Sequence, residues 1–419
     1  MDVRIINRLC SFTAQRFGVP IDQVAVARAP YRICPLGAHI DHQSGTVTAM
    51  ALDQAVHVAF APSHCRDVVL NSLDFPGQTR FSIDHVPPPQ RGDWGNYARG
   101  AVQALQQRHQ LRSGVYGVTA GRMDGGGLSS SAAIGVALLL ALQHANDLKV
   151  TPEENIDLDQ TIENGYLGLR NGILDQAAIL LSRRHQLTWI DCLTREHRHF
   201  PNPADGRGFE ILIVFSGLKQ ALVETDYNQR VRECTAAAEK LLAAAGRSDA
   251  PPVLRSIPPE QYDACKHVLD DAEARRARHF FDEMERVRQG QQAWTAGDWQ
   301  LFGQLMNQSG YSSIEHYQCG CPPLIDLYRI LQDTPGVLGA RFSGAGFRGC
   351  CVALVEPRTG QAAGEWVLDR YRRQHPDLAE AAYSLVCQTA DGAEVIGKER
   401  LAGLFDVASD PAKNRPRNN

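Results

Sequence analysis

The sequence predicts an α+β protein of two domains, spanning 1–205 and 206–405, with a tail at 406–419. Size is the first ground: 419 residues at 43% hydrophobic composition can fill two cores. Order is the second. Strand-like stretches give way to helical ones in two rounds and never alternate as regular βαβ units.

Ile5, Leu9, Phe12 and Phe17 recur at helical spacing, which predicts a helix over 4–17. Strands are expected at 24–28, 46–52, 56–60, 68–73 and 79–83. Pro87-Pro88-Pro89 ends that run, and Asp93 is a candidate N-cap for the helix that follows. A strand at 114–119 leads into a glycine-rich loop and an apolar helix from Ser130. Helical segments over 152–182 precede strands at 187–191 and 210–215. Residues 222–333 read as mostly helical, with one charged face. The last strands are expected at 337–342, 350–355 and 383–388, with a helix between the final two. The stretch from Ala408 to Asn419 is polar and Pro/Asn-rich, and is expected to be disordered.

Composition excludes several classes. Net charge is −4, from 43 Lys and Arg against 47 Asp and Glu, and no basic stripe stands out. Nucleic acid and anionic membrane surfaces are therefore not the expected partners. The apolar run from Ala132 to Leu142 is too short to cross a bilayer. The N-terminus carries charge at Asp2 and Arg4 and has no signal-peptide apolar segment. Eleven cysteines without disulfide-scaffold spacing fit reduced thiols in a cytoplasmic setting. Cys319-Gly-Cys321 lies near His316, but a second ligand pair at zinc spacing is missing.

Three stretches carry chemistry. In Asp124-Gly-Gly-Gly-Leu-Ser-Ser-Ser-Ala-Ala133, glycines let the backbone approach a ligand closely. Serines then stand where a helix begins, and free N–H groups with the helix dipole suit a phosphate. A flexible turn capped by serine is the plainer alternative. No Gly-Lys-Ser/Thr follows, so the loop is not a Walker motif. The second stretch, 29–45, places Arg32, His39 and Asp41 in an otherwise apolar segment. Such groups suit a polyhydroxyl ligand, because Asp accepts hydroxyl protons and His donates or accepts. A structural salt bridge between Arg32 and Asp41 would account for the same residues. The third, Arg341-Phe-Ser-Gly-Ala-Gly-Phe-Arg-Gly349, reads alone as a tight turn running into a strand.

Taken in this order, the three stretches resemble the galactokinase, homoserine kinase, mevalonate kinase and phosphomevalonate kinase superfamily, and its galactokinase branch most. Trp94-Gly-Asn-Tyr97, Asn171-Gly-Ile-Leu-Asp-Gln176, Glu224-Thr-Asp-Tyr227, Leu305-Met-Asn-Gln-Ser309 and Cys321-Pro322 are similar to galactokinase segments in the same order. The resemblance implies a two-domain sugar kinase of the galactokinase/mevalonate kinase type, using ATP and Mg²⁺, with the active site in the interdomain cleft. It implies that Gly125, Gly126, Gly127, Ser129, Ser130 and Ser131 form the nucleotide phosphate loop. Ser130 and Glu163, twelve residues before Asp175, would hold Mg²⁺. Asp175 would take the anomeric proton and Arg32 would stabilise developing charge. Trp94 and Tyr97 would lie around the adenine, and His39, Asp41 and Tyr227 would contact the sugar. The set is coherent, since phosphoryl transfer depends on positioning and charge neutralisation.

Departures from the family point to the substrate. Galactokinases carry a glutamate just before the histidine, near the sugar C6 hydroxyl; here that position is Ala38. Tyr31 replaces a glycine, and His42 replaces a tyrosine. Two charges about 4 Å apart at an effective dielectric of about 20 repel by roughly 4 kcal/mol, so a uronate would be repelled by that glutamate. The segment from Ala29 to His42 as a whole resembles galacturonokinases, which make galacturonate 1-phosphate from galacturonate and ATP. A small-molecule sugar acid is then the expected substrate, with Lys219 a candidate either to neutralise its carboxylate or to face the nucleotide. Galactokinase acting on D-galactose is the alternative, and a sugar sensor without activity is another. In the third stretch Ala345 and Arg348 stand where glycines are usual. A Cβ at positive φ would cost about 1 kcal/mol there, and Arg348 is expected to face solvent.

Overall fold

The computed structural model describes residues 3–121, 126–218, 226–401 and 403. Gly125, Asp124, Lys219, Glu224 and the tail lie outside the described residues. The first half opens with α1 (Val3–Phe17), then β1 (Ala25–Ile33), β2 (Thr46–Pro62), β3 (Asp67–Ser72) and β4 (Gln78–Ser82). Next come α2 (Asn96–Gln106), β5 (Val115–Ala120), α3 (Ser130–Ala145), α4 (Pro152–Gln160) and α5 (Leu174–Leu181). Strands β6 (Gln186–Asp191) and β7 (His197–Pro201) close that half.

The second half begins with β8 (Glu210–Phe215) and runs through α6 (Tyr227–Ala244), α7 (Pro259–Cys265), α8 (Asp271–Ala296), α9 (Trp299–Glu315) and α10 (Pro322–Gln332). Strands β9 (Val337–Phe342) and β10 (Cys350–Val355), helix α11 (Gly360–Gln374) and strand β11 (Tyr383–Cys387) follow. The short strands β12 (Thr389–Ala390) and β13 (Glu394–Ile396) complete the described elements.

The nine-stranded first sheet runs β13-β1-β2-β5-β3-β4, with β6 and β12 also on β2 and β7 on β6. A four-stranded antiparallel sheet, β11-β8-β10-β9, forms the second. The expected strands at 46–52 and 56–60 are one element. β1 pairs along β2 on both sides of that gap, with a register shift between Pro30 and Arg32. Pairing of this kind holds a strand through polar positions such as Asp53 and Gln54 that local pattern reads as a break.

Helix α3 is apolar on every side, and helices of that kind are buried. It packs on β1, β2, α2 and α5, with Val136, Ala137, Leu139 and Ala141 excluded from solvent. Helix α8 starts on a capping box between Asp270 and Glu273 and stops at Gly297, whose φ is 70°. Asp93 is not the N-cap of α2, which starts at Asn96. Its Oδ1 instead accepts from Gly95 N at 2.8 Å, and its carboxylate pairs with Arg99 at 2.7 Å.

The chain does not stay with the second sheet to its end. Glu394, Val395 and Ile396 pair with Arg28, Ala27 and Val26 of β1. Ile396 is fully buried in a cluster with Ile6, Leu9, Val26 and Val118. Sequence reading missed β7, β12 and β13, which are short and get their order from the neighbours they pair with. Ile396→Ala should therefore destabilise the first domain by about 2–4 kcal/mol. A urea midpoint within error of wild type would show that β13 adds nothing to that core.

Candidate active site

Strand β1 ends the first sheet at a buried arginine. Arg32 is 3% exposed and follows the register shift, a place where bulges re-aim side chains. Its backbone N–H donates to Leu128 O at 3.3 Å, fastening the strand to the Gly/Ser loop. Its Nη1 donates to Gly127 O at 3.2 Å. Its Nε and Nη2 both reach Asp175 Oδ1, at 2.8 and 2.7 Å. Among the described residues nothing donates to Asp175 Oδ2. Asp175 stands in the first turn of α5, where the positive end of the helix also faces a carboxylate. The salt bridge that residue types alone allowed between Arg32 and Asp41 is thus made to Asp175.

A cavity opens beside this pair. Arg32, Ala38, His39, Asp41, Asp175 and Tyr227 line it, joined by Arg341 and by Gly344 and Ala345 of the third motif. Asp41 lies against Gly172, where an added Cβ would stand 2.5 Å from Oδ2, so a side chain there would displace it. Burial first, and then the charge of Asp175, push Asp41 up to about 6. His39 is 6% exposed and stacks on Tyr317 at 4.4 Å between ring centroids. Burial, with Arg341 next, holds His39 well below the usual histidine range. A wider cavity of about 660 Å³ adjoins at Asp41 and Asn171 and is lined by Gln160, Asn164 and Arg195 among others.

Ser129, Ser130 and Ser131 do not line this cavity. They lie where α3 begins, with Ser129 at the N-cap in a left-handed conformation, φ 57°. Ser129 Oγ is buried without a hydrogen-bond partner. Glu163 sits in a π-helical turn, Thr161–Tyr166, closed by Leu167 N donating to Ile162 O at 3.0 Å. Such turns recur at functional sites. Glu163 is fully buried; its Oε2 accepts from Asn171 and Gln176 at 2.8 and 3.1 Å, while Oε1 has no hydrogen-bond partner within reach among the described residues, with the Ser131 hydroxyl close enough to favour the ionised form. Burial, then the charge of Asp175, raises its pKa. A buried carboxylate oxygen left open beside serines suits a hard cation such as Mg²⁺.

Trp94 and Tyr97 lie outside the cavity lining. Trp94 Nε1 donates to Pro76 O at 3.3 Å. Tyr97 is enclosed near Glu163, Asp159 and Arg348, and burial raises its phenol. Two expectations for the third motif are corrected. Ala345 is not at positive φ; the left-handed positions fall on Gly344, Gly346 and Gly349, so the alanine is unstrained. Arg348 does not face open solvent. It is half-buried against Gly126, where an added Cβ would lie 2.4 Å from Nη1.

Residue-type reasoning left out the wall of the cavity. The sequence marks Arg341 only as the flank of a glycine turn, and nothing local singles out Cys34, Leu174 or Phe342, which also line it. Beneath Ala38, Glu283 Oε1 accepts from Gly37 N and Ala38 N at 2.8 and 3.3 Å. His279 meets Ala38 O at 2.9 Å. Both come from α8, far away in the chain. A polar residue on the buried face of that charged helix was the only available signal.

Residues 96–183 match the GHMP kinases N terminal domain, 290–384 match GHMP kinases C terminal, and 14–62 match the galactokinase galactose-binding signature. A relative from Arabidopsis thaliana named galacturonokinase is 47% identical over 415 residues, covering 93% of this chain and 98% of the relative. The chain belongs to the GHMP kinase family. Galactokinase from Roseiflexus sp. (strain RS-1) is 34% identical, covering 88% of this chain and 92% of that one. The crystal structure of Lactococcus lactis galactokinase complexed with galactose superposes with a TM-score of 0.85 at 30% identity, covering 93% of this chain and 99% of that one. Methanococcus jannaschii mevalonate kinase, at a TM-score of 0.62 and 15% identity over 87% of this chain and 98% of that one, shares the fold. The chain is thus an ATP-dependent kinase of the sugar-kinase branch, with the two-domain α+β fold expected. Among the described residues no helix is long and apolar enough to cross a membrane.

The third motif presses on the Gly/Ser loop. Gly344, at φ 68°, lies so close that an added Cβ would stand 2.8 Å from Gly127 Cα, and Ser343 Oγ donates to Gly127 O at 2.6 Å. Gly344→Ala should displace the loop and lower kcat/KM for ATP by about tenfold to a hundredfold, while Ala345→Gly stays within about twofold of wild type. Equal effects in ATP-dependent steady-state kinetics would contradict this packing.

Proposed function

We propose that this chain transfers the γ-phosphoryl group of ATP to the anomeric hydroxyl of D-galacturonate, giving galacturonate 1-phosphate and ADP. One observation carries the choice of sugar. Ala38 lines the cavity beside His39, and its position offers no carboxylate there. Glu283, the nearest acid beneath it, is taken up by two backbone N–H groups, Ser309 Oγ at 2.6 Å and Arg286 Nε at 2.6 Å, and does not line the cavity. The relative named galacturonokinase supports the same reading.

The residues divide the work by position. Asp41, His39 and Tyr227 bind and orient the sugar hydroxyls. Asp175 Oδ2, which no described residue engages, accepts the anomeric proton as the sugar oxygen bonds to the γ-phosphorus and the bond to the β,γ-bridging oxygen breaks. Arg32, held by Asp175 Oδ1 and Gly127 O, keeps its positive charge between base and phosphate loop, where negative charge grows on the transferring group. Gly126, Gly127 and Ser129 to Ser131, with Gly125 before them, bind the phosphates through the start of α3. Trp94 and Tyr97 border the base. Ser130 and Glu163 would hold Mg²⁺, which when bound supplies charge neutralisation on the phosphates. The reaction falls in the cytoplasm on this reading.

Asp175→Asn should keep ATP binding but cut kcat by about a hundredfold or more, because shape is kept while base and charge go. A near wild-type rate in a coupled ADP assay would make Asp175 structural. In the same assay wild type should prefer galacturonate to galactose, and Ala38→Glu should shift the ratio of kcat/KM values toward galactose by about tenfold to a hundredfold. A wild type that prefers galactose returns the chain to the galactokinase reading.

A further inference from the structure

A uronate substrate brings one negative charge into the cavity, and the charges already there leave a definite place for it. Arg32 is neutralised by Asp175. Asp41 has Asp175 and Arg32 as its charged neighbours. Glu283 is paired with Arg286 at 2.6 Å. Arg341 is different. It lines the same cavity as Ala38 and His39, is 1% exposed, and forms no ion pair with any described residue. Its Nη1 donates to Cys34 O at 3.1 Å, and its Nε is buried with no hydrogen-bond partner. An unpaired guanidinium at this depth is costly unless something completes it.

The groups around Arg341 do not supply the missing charge. His39 and His279 are both held below the usual histidine range by burial, and neither can act as an anion. Burial pushes the Cys34 thiol up to about 12, so it stays protonated. Glu283 feels Arg341, but its oxygens are already occupied by Arg286, Ser309 and the backbone of Gly37 and Ala38. Of the two arginines that line the cavity, Arg32 is held by Asp175, and Arg341 has no ion-pair partner among the described residues.

Resting on the galacturonate reading, we propose that Arg341 is the specificity-determining residue that receives the C6 carboxylate of the sugar acid, through the edge of its guanidinium that carries Nε. Arginine binds carboxylates along such an edge with two parallel N–H donors, and a charge-assisted contact of this kind is strong where water is excluded. Ala38 then has a steric as well as an electrostatic role. Its methyl group leaves room for the carboxylate to reach a cation that a longer acidic side chain would occupy. Lys219, the candidate suggested by sequence, is not needed for this balance.

The test compares D-galacturonate with D-galacturonamide, which has the same shape and no charge. Wild type should favour the acid by at least about thirtyfold in kcat/KM, and Arg341→Gln should erase most of that ratio. The loss should appear in KM for the acid, with the ATP KM kept within about twofold. A ratio unchanged in Arg341→Gln, or an equal loss for both sugars, overturns the proposal. If the variant does not fold by circular dichroism, a crystal structure of the wild-type protein with galacturonate decides. A carboxylate on the Arg341 guanidinium supports the assignment, and a carboxylate seated elsewhere overturns it. Wild type preferring galactose would instead overturn the substrate reading itself, so the two failures are distinct.

Discussion

The ion pair between Arg32 and Asp175 is the constraint on which the rest of the site depends. It joins the end of β1 to the first turn of α5, and through Gly127 O it reaches the Gly/Ser loop. Arg32 is buried while the Asp175 side chain is 20% exposed, so the pair has one face in the protein and one in the cavity. Pairs of this kind add little net stability, because desolvation offsets the attraction. Their value here is positional. Removing either partner would leave a charge uncompensated beside the loop and release three elements from a common register.

Around that pair the cavity is polarised. Asp41 and Asp175 line it, and Glu163 lies outside the lining; burial first, and then the charge of Asp175, raise Asp41 and Glu163. Arg341 and His39, which burial holds well below the usual histidine range, line the same cavity. A sugar hydroxyl facing carboxylates and an anionic substituent facing a guanidinium would both find complementary partners. The orientation of a sugar acid is thus favoured by the field before any single contact is counted.

The fold does not itself choose this chemistry. A mevalonate kinase with 15% identity keeps the same architecture, so the substrate must be decided by side chains lining one cavity. Those side chains come from distant parts of the chain. β1 and the turn after it bring Arg32, Ala38, His39 and Asp41, α5 brings Asp175, and β9 brings Arg341. The second sheet reaches the first at this point because Gly344 and Ser343 pack directly on Gly127.

The sequence by itself determined the elements with strong local signals. The apolar helix after Ser130, the amphipathic first helix, the strands of the second sheet and the Gly/Ser loop are legible because hydrophobic period and glycine chemistry act over a few residues. It also marked Arg32, His39 and Asp41, since polar groups inside an apolar segment need a reason, while Asp175 stood out only through the resemblance to galactokinases. Only the tertiary structure decided which partner Arg32 takes, and it chose Asp175 over Asp41. It also decided that β13 returns to β1, that Arg348 folds over Gly126, and that Arg341 reaches the cavity without an ion-pair partner among the described residues. None of these could be read locally. Each depends on which segments lie side by side, and the charge that a buried group lacks is fixed by its neighbours in space, not by its neighbours along the chain.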